Sequence, residues 1–200
     1  MIDIEDRREL WKKMCSEIAV CKACDLGNTR TKAVVYRGNP QADWCFVVEM
    51  PREDDDLRGK SLVGVPGKLF DKYLADCQMP SNDWVAINCV NCRAPKNKFP
   101  SRDIASICIQ KYLWLKLDLI RPKILVVMGK NAAACFAPVQ KIGDVAGRLI
   151  ESNPKWGASY LKMVCATYHP AYALQQPHIV GVIRSHMRFF MAYAKKERIV

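Results

Sequence analysis

The run Lys123-Ile-Leu-Val-Val-Met-Gly129 decides the fold. A strand with one face in water alternates apolar and polar residues. An unbroken apolar run bounded by Pro122 and Gly129 instead reads as a strand buried on both faces, as in a parallel sheet covered by helices. Trp44 to Glu49 (WCFVVE) and Trp84 to Val90 (WVAINCV) repeat the pattern, and Tyr160 to Thr167 supplies a fourth strand. Between them the spacing becomes helical. Residues 2–19 carry Leu10, Trp11, Met14 and Ile18 on one side, and Gly67 to Cys77 carries Leu69, Phe70, Tyr73 and Leu74. Ser101 is an N-cap candidate for a long helix with Ile104, Cys108, Tyr112, Leu115 and Leu119 inward. A small-residue helix, Asn131 to Phe136, precedes an irregular segment reaching about Pro154, and Ile179 to Tyr193 closes the chain with Val182, Ile183, His186, Phe189 and Phe190 inward. Strand and helix alternate four times, which predicts an α/β fold around a central four-stranded parallel sheet.

The 200 residues suit one domain, 1–200, and 50% hydrophobic residues place the chain far from disordered compositions. A net charge of +11 favours a polyanionic partner, nucleic acid first, because each phosphate contact releases condensed counterions. No apolar run approaches the roughly 18 to 20 residues that span a bilayer, and the charged opening MIDIEDRREL lacks a signal peptide's apolar centre. A cytoplasmic protein with no membrane partner is expected. In that compartment ten cysteines read as metal ligands and buried thiols rather than disulfides.

Two C-x2-C pairs, Cys21/Cys24 and Cys89/Cys92, are compatible with a four-cysteine zinc site, but their separation far exceeds zinc-ribbon spacing. Cys89 falls within a strand, whereas Cys92 has left it. Cys21, Cys24, Cys92 and Cys108 are therefore the preferred thiolate ligands of an iron-sulfur cluster. Cys15, Cys45, Cys77, Cys135 and Cys165 are expected in the core. In open parallel sheets ligands bind beyond the carboxyl ends of the strands, and Glu49, Asn88, Gly129 and His169-Pro170 fall there. The seven charges among Arg52 to Lys60 read as a solvated loop.

The string Glu49-Met50-Pro51, followed by Asp55, Gly59, Leu62-Val63-Gly64, Gly67 and Leu69-Phe70-Asp71, resembles the first motif of iron-sulfur uracil-DNA glycosylases, the family 4 branch and its phage polymerase-like relatives. Ile87-Asn88 through Cys92-Arg93-Ala94-Pro95, with Asn97, Pro100 and Cys108, resembles that family's central segment. Thr167-Tyr168-His169-Pro170-Ala171 to Leu174 resembles its closing His-Pro motif. The resemblance runs from Cys21 to about Leu174. It implies a three-layer α/β/α sandwich, a [4Fe-4S] cluster that orders loops near DNA, and hydrolysis of the N-glycosidic bond of uracil, or a related modified base, in DNA.

The resemblance also implies roles. His169 would donate to the departing base, and Glu49 or Asp55 would orient water and stabilise the sugar cation. Asn88 would read the uracil edge, with Met50 and Leu62 beside the base. Arg93, Lys96, Lys98 and Lys130 are candidate phosphate contacts, and Tyr172 and Leu174, in a loop from Ala171 to Gln175, a candidate apolar wedge. A monomer is expected, with a replication or repair protein as a further partner. The chain departs from the family pattern at Val48 and Arg52, where glycines are usual, at Leu62, where phenylalanine is common, and at Gln175, where arginine is expected. Leu62 removes an aromatic stacking platform, so a second reading is a DNA-binding relative without turnover, and a third is a zinc-stabilised binding domain.

Overall fold

The structure is a computed structural model, and it describes residues 3–150 and 159–200. Helix α1 (Ile4–Val20) starts at Asp3, whose side chain accepts the Asp6 amide, and buries Trp11, Met14 and Ile18. A short turn of helix, α2 (Leu26–Thr29), leads to strand β1 (Tyr36–Gly38). Strand β2 (Trp44–Val48) is followed by α3 (Glu53–Arg58) and α4 (Val65–Asp76), then by β3 (Trp84–Asn88). Helix α5 (Arg102–Cys108) continues through a π-turn (Ile109–Leu113) into α6 (Trp114–Ile120). Strand β4 (Ile124–Met128), α7 (Lys130–Ala133), β5 (Met163–Thr167), α8 (Pro170–Gln175) and α9 (Ile179–Lys196) complete the order.

Among the described residues the sheet runs β1-β3-β2-β4-β5. The four expected strands are parallel, with Val48 level with Asn88 and Met128, and Met128 level with Thr167. Each is buried along its whole length, as the unbroken apolar runs require. The fifth strand is an addition: β1 pairs antiparallel with β3 at the edge, and three residues are too few to show a period. Two cores result. Cys45, Val47, Val85 and Ile87 pack with α1, the α5–α6 helix and α7, whereas Trp44, Phe46, Trp84 and Ala86 pack with α4, α8 and α9. Helices therefore cover both faces, in three layers.

Several expectations need correction. Arg52 to Lys60 is not a solvated loop. It holds α3, where Asp56 is buried, accepting the amides of Thr31 and Lys32, and Asp55 is buried on its own backbone partners. Ala171 to Gln175 is helical rather than a loop, begun by Pro170. Leu115 and Phe189 are exposed, not inward. The π-turn inserts one residue into the long helix, so the buried face that would have taken Leu115 takes Lys116, which is fully buried. Of the five cysteines expected in the core, Cys45 and Cys165 are buried, while Cys15, Cys77 and Cys135 are only partly covered. The irregular segment lies outside the described residues from 151 onward.

Candidate active site

The carboxyl ends of β2, β3, β4 and β5 form one rim. Asn88 ends β3 with no exposed surface, and neither amide atom has a hydrogen-bond partner among the described residues. Such a buried amide is costly unless a partner arrives, since each unsatisfied polar group forfeits its hydration. By the two-residue alternation that puts Trp84 and Ala86 against α4 and α9, Asn88 belongs to that same face.

His169 follows β5 and caps α8. Its Nδ1 accepts the Ala171 amide at 3.0 Å, which leaves the ring proton of the neutral form on Nε2. Burial, with the Arg52 charge second, pushes its pKa down to about 3, so the ring is neutral across the physiological range. A cavity of about 290 Å³ lies beside it, lined by Arg52, Asp55, Leu62, Asn97, Leu174 and Gln175 among others, with Gly64 to Gly67 at the start of α4. It opens over the α4 face, so His169 and Asn88 address the same side of the sheet.

The two carboxylates differ. Asp55 lines the cavity, yet its Oδ1 accepts the Val63 amide at 2.8 Å and its Oδ2 the Arg52 amide at 3.0 Å. Burial raises its pKa against those amides. Asp55 thus fastens the loop after α3 to the α3 N-terminus. Glu49 lies over β4, where Oε1 accepts both the amide and the side-chain nitrogen of Asn131 at 2.8 and 2.9 Å. Its Oε2 has no hydrogen-bond partner among the described residues. Burial raises the Glu49 pKa, opposed by Asn131 and by the charge of Arg52. Gly129 makes this placement feasible: it sits at φ 101°, and a Cβ there would stand 2.9 Å from the Glu49 carboxyl carbon.

Leu62 takes a left-handed backbone at φ 53° and is buried, forming part of the cavity wall. Its carbonyl accepts from Arg37, which also pairs with Asp71 at 2.8 Å, and Gly67 is required because a Cβ there would meet the Leu62 carbonyl oxygen at 1.8 Å. Among the described lining residues none is Phe, Tyr or Trp. Met50 is buried in the opposite core, away from the cavity lining. Arg93 is held by Asn97 at 2.9 Å and by Glu53 at 3.5 Å, whereas Lys96, Lys98 and Lys130 are exposed. On α8, Tyr172 stacks on Tyr168 at 5.6 Å, and both Tyr172 and Leu174 are exposed.

Cys21, Cys24, Cys92 and Cys108 line a second cavity, together with Arg30, Asn91 and Tyr112. Arg30 donates to the Cys92 sulfur at 2.8 Å, and Asn91 donates its amide and side-chain nitrogen to the Cys108 sulfur at 3.4 and 3.3 Å. Burial raises the Cys21 thiol, but a Tyr112 hydrogen bond, the Ala23 amide and the charges of Lys111 and Arg30 outweigh it and lower the net value. Among the described residues no group of three or more His, Cys, Asp or Glu is arranged to hold one metal ion. Cys89 stands apart from this ring, 3.8 Å from the Cys135 sulfur.

Lys116 is the residue that pattern reading missed. It donates to Asn91 Oδ1 and, at 3.3 Å, to the Asn88 carbonyl, joining the cysteine ring to the strand end that carries the orphaned amide. Burial pushes its pKa down to about 8. Its spacing of four from Tyr112 was the available signal, masked by its charge.

The family model described as "Uracil DNA glycosylase superfamily" matches residues 35–192. The chain belongs to this superfamily. A type-4 uracil-DNA glycosylase from Archaeoglobus fulgidus is 35% identical over 168 residues, covering 82% of each chain. One from Saccharolobus solfataricus is 33% identical over 181 residues, covering 88% of this chain and 82% of the relative. A DNA polymerase of Bacillus phage SP01 is 26% identical over 147 residues, 73% of this chain and 15% of the polymerase. No described helix is long and apolar enough to cross a membrane.

Proposed function

We propose that the chain is a uracil-DNA glycosylase that flips uracil, or a closely related base, out of DNA and hydrolyses its N-glycosidic bond, leaving an abasic site. One observation carries this reading. The buried Asn88 amide has both atoms unpartnered among the described residues, on the sheet face covered by α4, and the cavity beside the start of α4 presents a neutral imidazole donor. An amide offers one acceptor and one donor, which suits N3–H and O4 of uracil and mismatches cytosine.

In the reaction the C1′–N1 bond breaks with its electron pair passing to the base. The Nε2 proton of His169 supports the negative charge at the base oxygen. Glu49 orients water through Oε2 and takes its proton as the water oxygen bonds to C1′. Asp55 acts through the loop it fastens, which supplies the Leu62 wall. Lys96, Lys98 and Lys130 meet phosphates, and Leu174 with Tyr172 fills the gap left by the flipped nucleotide.

Cys21, Cys24, Cys92 and Cys108 would hold a [4Fe-4S] cluster. The donor set fits: four thiols ring one cavity, with Arg30 and Asn91 donors already aimed at sulfur. Bound there, the cluster would tie the segment after α1 to the loop after β3 and to α5, a structural rather than redox role. A cavity wall without Phe, Tyr or Trp favours the second reading, a DNA-binding relative without turnover.

Protein purified without oxygen is incubated with a uracil-containing oligonucleotide, then treated with alkali to cleave abasic sites. Cleavage at the uracil position is expected. Binding without cleavage, across uracil and its modified relatives, would select the non-catalytic reading.

A further inference from the structure

Arg52 stands at the N-cap of α3 and lines the cavity with His169, Asp55 and Leu62. It is half-buried, and among the described residues its guanidinium has no ion pair and no hydrogen bond. Arg93 nearby is held by Glu53 and Asn97. Three acids line the same cavity: Asp55 has both oxygens occupied by backbone amides, Glu53 reaches Arg93, and Asp54, like Glu53, is exposed. The charge of Arg52 reaches both Glu49 and His169, lowering the proton affinity of each. A partly desolvated cation that forms no ion pair among the described residues, facing a cavity where the proposed reaction creates an anion, is poised for that anion.

Building on the proposed excision, we infer that Arg52 contacts the departing base and stabilises its developing negative charge, as a second electrophilic group beside His169. When the C1′–N1 bond breaks, both electrons move onto the base and spread over N1 and its carbonyl oxygens. A guanidinium at the cavity wall gains more from that anion than from the neutral bound base, so it accelerates bond breaking rather than merely tightening binding. The position is one where the resemblance leads one to expect glycine, and Leu62 takes the place of an aromatic platform. Charge stabilisation by Arg52 offsets the stacking that this cavity lacks.

The test compares two leaving groups of nearly equal shape, uracil and 5-fluorouracil, the second forming the more stable anion. Single-turnover excision is measured at saturating oligonucleotide for wild type, Arg52→Ala, Arg52→Gly and Arg52→Lys, with thermal midpoints recorded for each. Arg52→Ala should lower the maximal rate on uracil by roughly tenfold to hundredfold, less than removal of a dedicated oxyanion donor, with a clearly smaller loss on 5-fluorouracil. Arg52→Lys should recover part of the rate. Equal losses on both bases, a faster Arg52→Gly enzyme, or weaker DNA binding at an unchanged maximal rate would each overturn the inference; the last would make Arg52 a phosphate contact. An inactive wild type would remove the proposed function itself, and is seen before any variant is made.

Discussion

The cavity beside His169 and the cysteine ring lie at neighbouring strand ends but are finished differently. In the ring, polar groups have partners: Arg30 on Cys92, Asn91 on Cys108, Lys116 on Asn91. Along the rim and in the cavity, among the described residues, the Asn88 amide has no partner, Glu49 Oε2 has no hydrogen bond and the Arg52 guanidinium forms no ion pair. Unsatisfied groups cost stability, so a fold that keeps them there has left them for something that binds. Under the proposed function the ring holds a cluster and the cavity reacts.

The largest expected effect separates the two. His169→Ala and Asn88→Ala should each lower single-turnover excision by about 10²- to 10³-fold. Asn88→Ala should leave the thermal midpoint nearly unchanged or raise it, whereas His169→Ala also loses the α8 cap, at a cost of about 0.5–2 kcal/mol. A fall in midpoint for Asn88→Ala with activity retained would erase the distinction. The pH profile sharpens it. His169, held near 3, stays neutral through the ordinary histidine range, so activity should not fall there on its account. Glu49 must be ionised to take the water proton, and burial raises its pKa, with Arg52 and Asn131 opposing and Cys89 nearby. Activity should therefore fall as pH drops through a midpoint raised from that of an ordinary glutamate, and Glu49→Gln should remove that limb along with most of the rate. A limb that survives in Glu49→Gln assigns the proton to another group.

The middle effect crosses the boundary. Lys116→Met keeps the bulk but strips a donor from Asn91 and from the Asn88 carbonyl, leaving two buried acceptors short. The expected cost is about 1–3 kcal/mol, read as a fall in thermal midpoint of about 2–4 °C per kcal/mol, with less iron retained per chain. An unchanged midpoint and full iron content would show that ring and cavity are independent.

The sequence carried the strands, because burial on both faces writes itself as unbroken apolar runs, and it carried the cysteine set as spacing. His169 and Asn88 were legible as polar marks at strand ends. What stayed hidden has physical causes. Lys116 was masked because the π-turn shifts the buried face by one residue, and a lysine there reads as solvent. Asp55 and Asp56 sat in a run of four acids whose burial depends on amides from residues 31, 32, 52 and 63, which no local pattern announces. The edge strand Tyr36–Gly38 was too short to show a period.

The smallest effect lies outside both regions. Lys98 and Lys130 are exposed, and no ion pair holds either among the described residues. Lys98 stands in the loop after β3 at an ordinary backbone conformation, φ −89°, so alanine there changes charge without adding strain; Lys96, at φ 55°, would mix the two. If these lysines touch phosphate, each should contribute a counterion to the salt dependence and nothing to the chemical step. Lys98→Ala and Lys130→Ala should each reduce the slope of log affinity against log salt by about one, with the excision rate at saturating DNA unaltered. A slope equal to wild type in both variants would move the DNA path off the loop after β3 and the start of α7. The positive charge of the chain would then have to act through other residues, and the cavity would have to receive its base from a different direction.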